Sequence, residues 1–156
     1  MTSRTDFLIE AAAEYAQTGN WDGVFDAYSD IVQENPWLGR AWLLFGNAAI
    51  YVERYEDARD AYWTAIGLGE KHITCFQNLG CALAMLGDFR GAVKTFLLCI
   101  AREKLESRHW FNLGSAWYGQ RRYRDAIAAF VEANELIPEE DTLRFNIYME
   151  LGKSLL

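Results

Sequence analysis

Apolar residues return along this chain on two scales. Over stretches of about 14 residues they fall three and four apart, which marks one face of a helix. Between these stretches stand residues that favour turns. The first helix is expected over about Thr5–Thr18, with Ser3 or Thr5 as its cap. Gly19-Asn20 then turns the chain, since both residues tolerate a positive φ. A second helix follows over about Trp21–Glu34, and Pro36 separates it from the next pair. The layout recurs with turns at Glu53-Arg54, Gly87-Asp88 and Arg121-Arg122.

The longer period steps from Trp42 to Phe76 to Trp110, with no insertion or deletion between copies. Between Ser107 and Pro138 it is written as Trp110, Leu113, Gly114, Trp117, Tyr123, Ala126, Phe130 and Ala133. One period back stand Phe76, Leu79, Gly80, Leu83, Phe89, Ala92, Phe96 and Cys99. A further step gives Trp42, Phe45, Gly46, Ala49, Tyr55, Ala58, Tyr62 and Ala65, and the last gives Leu8, Ala11, Ala12, Tyr15, Trp21, Val24, Tyr28 and Ile31. Helices this short are marginal alone because nucleation is unfavourable, so packing on neighbours must stabilise them. Gly46, Gly80 and Gly114 fall mid-helix, where glycine costs ~1 kcal/mol relative to alanine. Three recurrences of that cost imply that two helices approach closely there, with Ala58, Ala92 and Ala126 as the expected facing residues. A fifth period starting at Asp141 loses the pattern at Arg144 and Tyr148. Asp141–Leu156 therefore reads as a lone capping helix, covering its neighbour with Phe145, Ile147 and Leu151 and meeting water with Arg144, Glu150 and Lys153. Leu155 and Leu156 end the chain on an apolar note.

The succession Trp110-x2-Leu113-Gly114, Ala126-x3-Phe130, Pro138 resembles the tetratricopeptide repeat family, in four in-phase copies over almost the whole chain. The resemblance implies an all-α, right-handed superhelical solenoid: four helix–turn–helix repeats at about 5–38, 39–72, 73–106 and 107–140, then a capping helix at 141–156, as one array. It also implies binding of another protein, whose extended or helical peptide segment lies in a concave groove lined by the first helix of each repeat. Carried onto this sequence, the family's ligand-facing positions are Arg40 and Arg108, then Ile9, Leu43, Gln77, Phe111 and Phe145, then Glu10, Leu44, Asn78, Asn112 and Asn146, then Ala13, Asn47, Cys81, Ser115 and Met149, with Tyr51 and Tyr118 one turn further on. Asn78, Asn112 and Asn146 would form a ladder of amides, bonding either to a guest backbone or to neighbouring repeats. Some family members clamp an acidic C-terminal tail with cations. Asn47, Asn78 and Arg108 match that clamp, but Leu43 and Asn112 replace two of its basic residues, which removes most of the charge-assisted bonding. The apolar inner wall is nearer to the small bacterial secretion chaperones of this fold, which hold an apolar client segment.

Composition narrows the partner. A net charge of −7 argues against nucleic acid, and no apolar run is long enough to insert in a membrane. Cys75, Cys81 and Cys99 cannot all pair, which favours free thiols and a cytoplasmic setting. Cys99 reads as a small core residue and Cys81 as the thiol most open to reagents. His72 with Cys75 is too sparse for a metal site, and His72 and His109 read as surface or capping groups. No phosphate loop or catalytic constellation is present, so neither an enzyme nor a cofactor is expected. Thr5–Leu38 holds Asp6, Glu10, Glu14, Asp22, Asp26, Asp30 and Glu34 without a lysine or arginine, whereas Arg121, Arg122 and Arg124 cluster in the last turn. Such opposed ends also allow end-to-end self-association.

Overall fold

A computed structural model of the chain describes residues 3–137 and 142–155. The readings placed on Pro138, Asp141 and Leu156, and on the side chains of Arg144, Phe145, Tyr148 and Leu155, lie outside the described residues. The described residues form nine helices and no strand: α1 Arg4–Gln17, α2 Trp21–Glu34, α3 Gly39–Tyr51, α4 Tyr55–Gly67, α5 Ile73–Met85, α6 Phe89–Arg102, α7 Ser107–Gly119, α8 Tyr123–Glu135 and α9 Thr142–Leu155. The chain divides into two compact units, Met1–Ala82 and Leu83–Leu156, with the division inside α5.

In the first unit α1 packs on α2, α2 on α3 and α3 on α4. Ile31, Val32 and Ala41 are buried where α2 meets α3, flanked by Leu8, Tyr28, Trp42 and Phe45. In the second unit α6 packs on α7 and α7 on α8, while α9 lies against both α8 and α7. Its core gathers Ala126, Phe130, Ala133, Ile137 and Ile147, with Leu151 packed alongside. The lone last helix thus covers its neighbour through Ile147 and Leu151, and Lys153 pairs outward with Glu150 at 2.6 Å. At the other end Ser3 caps α1 reciprocally with Asp6, each accepting from the other's backbone N–H. The hydrogen bond from the Ser3 backbone holds the Asp6 carboxyl below its ordinary value.

The four turns inside helix pairs share one backbone and two chemistries. Gly19, Glu53, Gly87 and Arg121, which occupy the same place in successive repeats, all have positive φ (71°, 59°, 80° and 60°). The following N–H reaches back to close the helix end in each case: Asn20 to Tyr15, Arg54 to Ala49, Asp88 to Leu83 and Arg122 to Trp117, at 2.8–2.9 Å. In the first and third turns glycine takes the left-handed position, and Asn20 or Asp88 caps the next helix by accepting from Gly23 or Gly91. In the second and fourth, a glutamate or arginine holds the strained position, and Arg54 or Arg122 pairs with Asp57 or Asp125 at 2.6 and 2.7 Å. The alternation gives the chain a second period, two repeats long. The indole N–H groups of Trp42 and Trp110, which are also two repeats apart, each donate to the carbonyl six residues earlier, at 2.9 Å.

Gly46 and Gly114 do mark close approach, but their partners differ from expectation. A Cβ on Gly46 would stand 2.7 Å from the Tyr62 ring, and one on Gly114 2.6 Å from the Phe130 ring. Ala58 and Ala126 are buried, yet it is the large aromatic one turn later that needs the vacancy. Glycine admits a ring here rather than a second small residue.

Two outcomes follow for stability. Gly114→Ala should lose about 1–3 kcal/mol in urea unfolding, because the ring cannot retreat without leaving its rotamer. Adding Phe130→Leu should recover part of that loss, and a purely additive double mutant would refute the contact. Arg121→Gly should instead gain about 1 kcal/mol by relieving a left-handed residue, with the paired Gly87→Ala losing a comparable amount.

Candidate functional site

The side chains expected to face a partner divide between the two units. In the first, the helical spacing of α3 places Asn47, Ile50 and Tyr51 on one face, and that of α5 does the same for Asn78 and Cys81. With Tyr62 from α4 they line a cavity of about 330 Å³. A second cavity of about 320 Å³ shares Asn47 and Tyr51 with it and extends along α1 and α3, past Ile9, Ala13 and Leu44. Together they make an apolar trough across the first helices of successive pairs.

Three polar side chains interrupt the apolar lining and bond to one another. Asn47 Oδ1 accepts from the Tyr62 hydroxyl at 2.9 Å and from Asn78 Nδ2 at 2.9 Å. The second bond joins α3 to α5 across a sequence separation of 31 residues, so for this pair the amides bond between repeats. The Asn47 amide N–H groups and Asn78 Oδ1 make no hydrogen bond among the described residues. Burial holds the Tyr62 phenol well above its ordinary titration range, and the Asn78 amide beside it acts the other way. Cys75, one turn before Asn78, is fully buried with its thiol directed at the Tyr62 carbonyl 3.9 Å away, and burial pushes its pKa up to about 11.

Tyr51 is the most prominent group of the trough. It is 60% exposed, and one face of its ring stacks on Trp21 at 3.9 Å and 7°. It also borders a third, polar cavity of about 430 Å³ with Trp21, Asp22 and Glu53. Leu43 requires a correction. It is buried at 3%, and the neighbouring Leu44 is the residue that reaches the trough. Arg40 is exposed near Tyr28, and Gln77 is half-buried. Ile50, Tyr62 and Trp21 belong to the site but were not expected in it. Tyr62 stands where Phe96 and Phe130 stand in later repeats, so its extra hydroxyl was the available signal.

In the second unit the expected residues lean on the core. Phe111 packs on Phe130 with ring centroids 5.6 Å apart, and Tyr118 meets Tyr123 edge-on at 5.4 Å. The Ser115 hydroxyl donates to the Phe111 carbonyl at 3.1 Å, Asn112 is half-buried, and Arg108 is exposed. The cavity seen in this unit lies elsewhere, among Arg90, Val93, Lys94, Gln120 and Arg122, with about 580 Å³. His109 is also corrected. It is buried at 1%, with Nε2 3.4 Å from the Glu103 carboxylate and no partner for Nδ1, because its place in the repeat is the one that Ala41 and Cys75 bury. His72 is exposed, and its Nδ1 accepts from the Thr74 backbone at the start of α5. Among the described residues no three His, Cys, Asp or Glu side chains come together as metal ligands, and no helix is long and apolar enough to cross a membrane.

No family model matches the sequence, and no curated protein does. Solved structures do. MamA from Desulfovibrio magneticus RS-1, from residue 41 onward, superposes with a TM-score of 0.86 at 16% identity, covering 99% of this chain and 85% of that one. YrrB, described as a TPR protein with an unusual peptide-binding site, gives 0.76 at 17% identity over 94% and 74% of the two chains. The TPR domain of Sgt2 from Aspergillus fumigatus gives 0.66 at 20% identity over 75% and 76%. The fold is the tetratricopeptide repeat. In tetratricopeptide terms α1, α3, α5 and α7 are the first helices of their repeats, so the trough of the first unit runs along first helices.

The buried thiol and phenol make the site sensitive to alkali. Both groups titrate higher in the folded chain than in the unfolded one, so the folded state holds their protons more tightly. The thiol's contribution is complete below its unfolded value of 9.0 and is lost as pH rises towards about 11, while the phenol's is complete below 10.0 and is lost progressively above it. Urea stability should therefore fall across that window. Cys75→Ala, the residue found one repeat earlier at Ala41, should flatten the first part of the fall. Tyr62→Phe should flatten the part above the ordinary tyrosine value of 10.0. A slope unchanged in both variants would show that neither group is linked to folding.

Proposed function

We propose that the chain is a non-enzymatic protein-binding module that holds an apolar segment of another protein in the trough of its first unit. One observation carries the reading: two adjoining apolar cavities meet at Asn47 and Tyr51, beside the unused amide donors of Asn47 and the unused acceptor of Asn78. A guest backbone offers the matching pair, a carbonyl for the Asn47 amide and an N–H for Asn78 Oδ1. Its side chains would enter the cavities beside Ile50 and Cys81 and beside Ile9 and Leu44. The exposed face of Tyr51 supplies the rigid aromatic contact that dominates such interfaces. Asn47 and Asn78 are tied to each other and Leu43 is buried, so a cationic clamp for an acidic tail is not the mode of binding supported here. An extended segment is favoured over a helix, whose own backbone groups are already satisfied. Arg108, Phe111, Asn112, Ser115 and Tyr118 enter the proposal as partner-facing residues of the second unit.

Panning a displayed random-peptide library on the purified chain tests this. The selected peptides should be rich in apolar residues and should protect Cys81 from maleimide when bound. Cys81→Trp, which fills the first cavity, should weaken them by about tenfold or more with little change in the melt, since Cys81 borders the trough and is not core. Peptides that bind Cys81→Trp as well as wild type, or that leave Cys81 equally reactive, would remove the trough from consideration.

A further inference from the structure

The two-repeat period pairs two places whose backbones match and whose charges are opposite. In the first unit the turn Gly19-Asn20 and the start of α2 border a cavity of about 430 Å³, together with Tyr51, Val52 and Glu53 at the end of α3. Its carboxylates are Asp22 and Glu53, and Asp26 follows Asp22 by one helical turn. Two repeats later Asp22 becomes Arg90, Asp26 becomes Lys94 and Glu53 becomes Arg121. There a cavity of about 580 Å³ opens beside Arg90, Lys94 and Arg122. None of the six reversed side chains makes an ion pair among the described residues. The neighbouring arginines are engaged elsewhere, Arg54 at the acidic place with Asp57 and the face of Phe25, and Arg122 at the basic place with Asp125 and the face of Trp117.

Shape changes along with charge. At the acidic place Tyr51 stands out, 60% exposed. At the basic place the matching residue is Gly119, where any Cβ would run into the Phe89 ring, so no side chain projects. A protruding phenol ringed by carboxylates in one unit thus answers an open hollow ringed by cations in the other. The whole charge imbalance is divided in the same way, with five basic against twelve acidic residues in Met1–Ala82 and ten against ten in Leu83–Leu156.

We infer that this chain associates with a second copy of itself, the acidic edge Asp22–Asp26–Glu53 of one molecule docking on the basic edge Arg90–Lys94–Arg121 of the next. The contact is heterologous, using different surfaces on the two partners, so each docked molecule leaves one edge free for another. Three opposed pairs at an exposed edge steer encounter and fix register more than they add affinity, and they weaken with salt.

Charge reversal in two complementary variants tests the idea by sedimentation velocity. One carries Asp22→Arg, Asp26→Lys and Glu53→Arg. The other carries Arg90→Asp, Lys94→Asp and Arg121→Glu. Wild type should associate at low salt, with its dissociation constant weakening by about tenfold or more at high salt. Each variant alone, with both edges of one sign, should sediment as a monomer. Mixing the two should restore association, because the native acidic edge of the second then meets the native basic edge of the first. That recovery also shows that both variants are folded. Should either melt, Asp22→Asn, Asp26→Asn and Glu53→Gln serve in its place and should lose association without repulsion. A monomeric wild type at low salt, variants that associate alone as wild type does, or a mixture that stays monomeric would each overturn the assignment.

Discussion

Each helix of this chain is too short to persist alone, so the contact that joins two of them has to do what propensity does not. That contact is an aromatic ring lying against bare backbone. Tyr62 rests on Gly46 and Phe130 on Gly114, each at a distance that leaves no room for even a methyl group. The rings are among the largest fully buried side chains, so the two positions combine large apolar burial with close approach of ring to backbone. Small residues around them, Ala58 and Ala61 in α4 and Ala126 and Ala129 in α8, keep the rest of the approach equally close. The trough depends on this arrangement directly. Pressed against Gly46, Tyr62 carries its hydroxyl to Asn47, and Asn47 then fixes Asn78.

Most of the fold was legible because its determinants are local and recur. The turns fell at Gly19-Asn20, Glu53-Arg54, Gly87-Asp88 and Arg121-Arg122, where the helical spacing is interrupted, and Trp21–Glu34 was bounded to the residue. What could not be read was direction within a helix. Successive residues are about 100° apart, and the resemblance placed both Leu43 and Leu44 on the inner face, whereas Leu43 turns into the core and Leu44 alone reaches the trough. The glycine partners were missed for a related reason. Smallness on one helix invites the expectation of smallness on the other, whereas the vacancy is taken up by a large neighbour. His109 was misjudged by its chemistry, although its register with Ala41 and Cys75 already pointed inward.

The same backbone is reached twice by different means. Glycine at the left-handed position with an asparagine or aspartate cap closes one kind of turn, and a strained side chain beside an arginine–aspartate pair closes the other. A surface ion pair is worth little by itself, so the second kind holds chiefly because the flanking helices are already locked by their rings. That order of importance explains how charge can reverse between Glu53 and Arg121 while the backbone angle barely changes, 59° against 60°. The fold leaves the outer residues of its turns free to vary, and those are the residues on which the two edges differ.

Inside the trough the freedom is much smaller. Asn47, Asn78 and Tyr62 sit in an otherwise apolar wall, where a polar group without a partner costs about 1–3 kcal/mol. Between themselves they satisfy the phenol, one amide oxygen and one amide N–H group, which leaves donors on Asn47 and an acceptor on Asn78 facing the cavity. A purely apolar guest would bury those groups unpaired and lose much of what its contact area gains. A guest that brings a carbonyl and an N–H alongside its side chains would bury the same area at no such cost. In the proposed mode of binding the wall discriminates through what it leaves unsatisfied, and the class it favours there is polypeptide in an extended conformation.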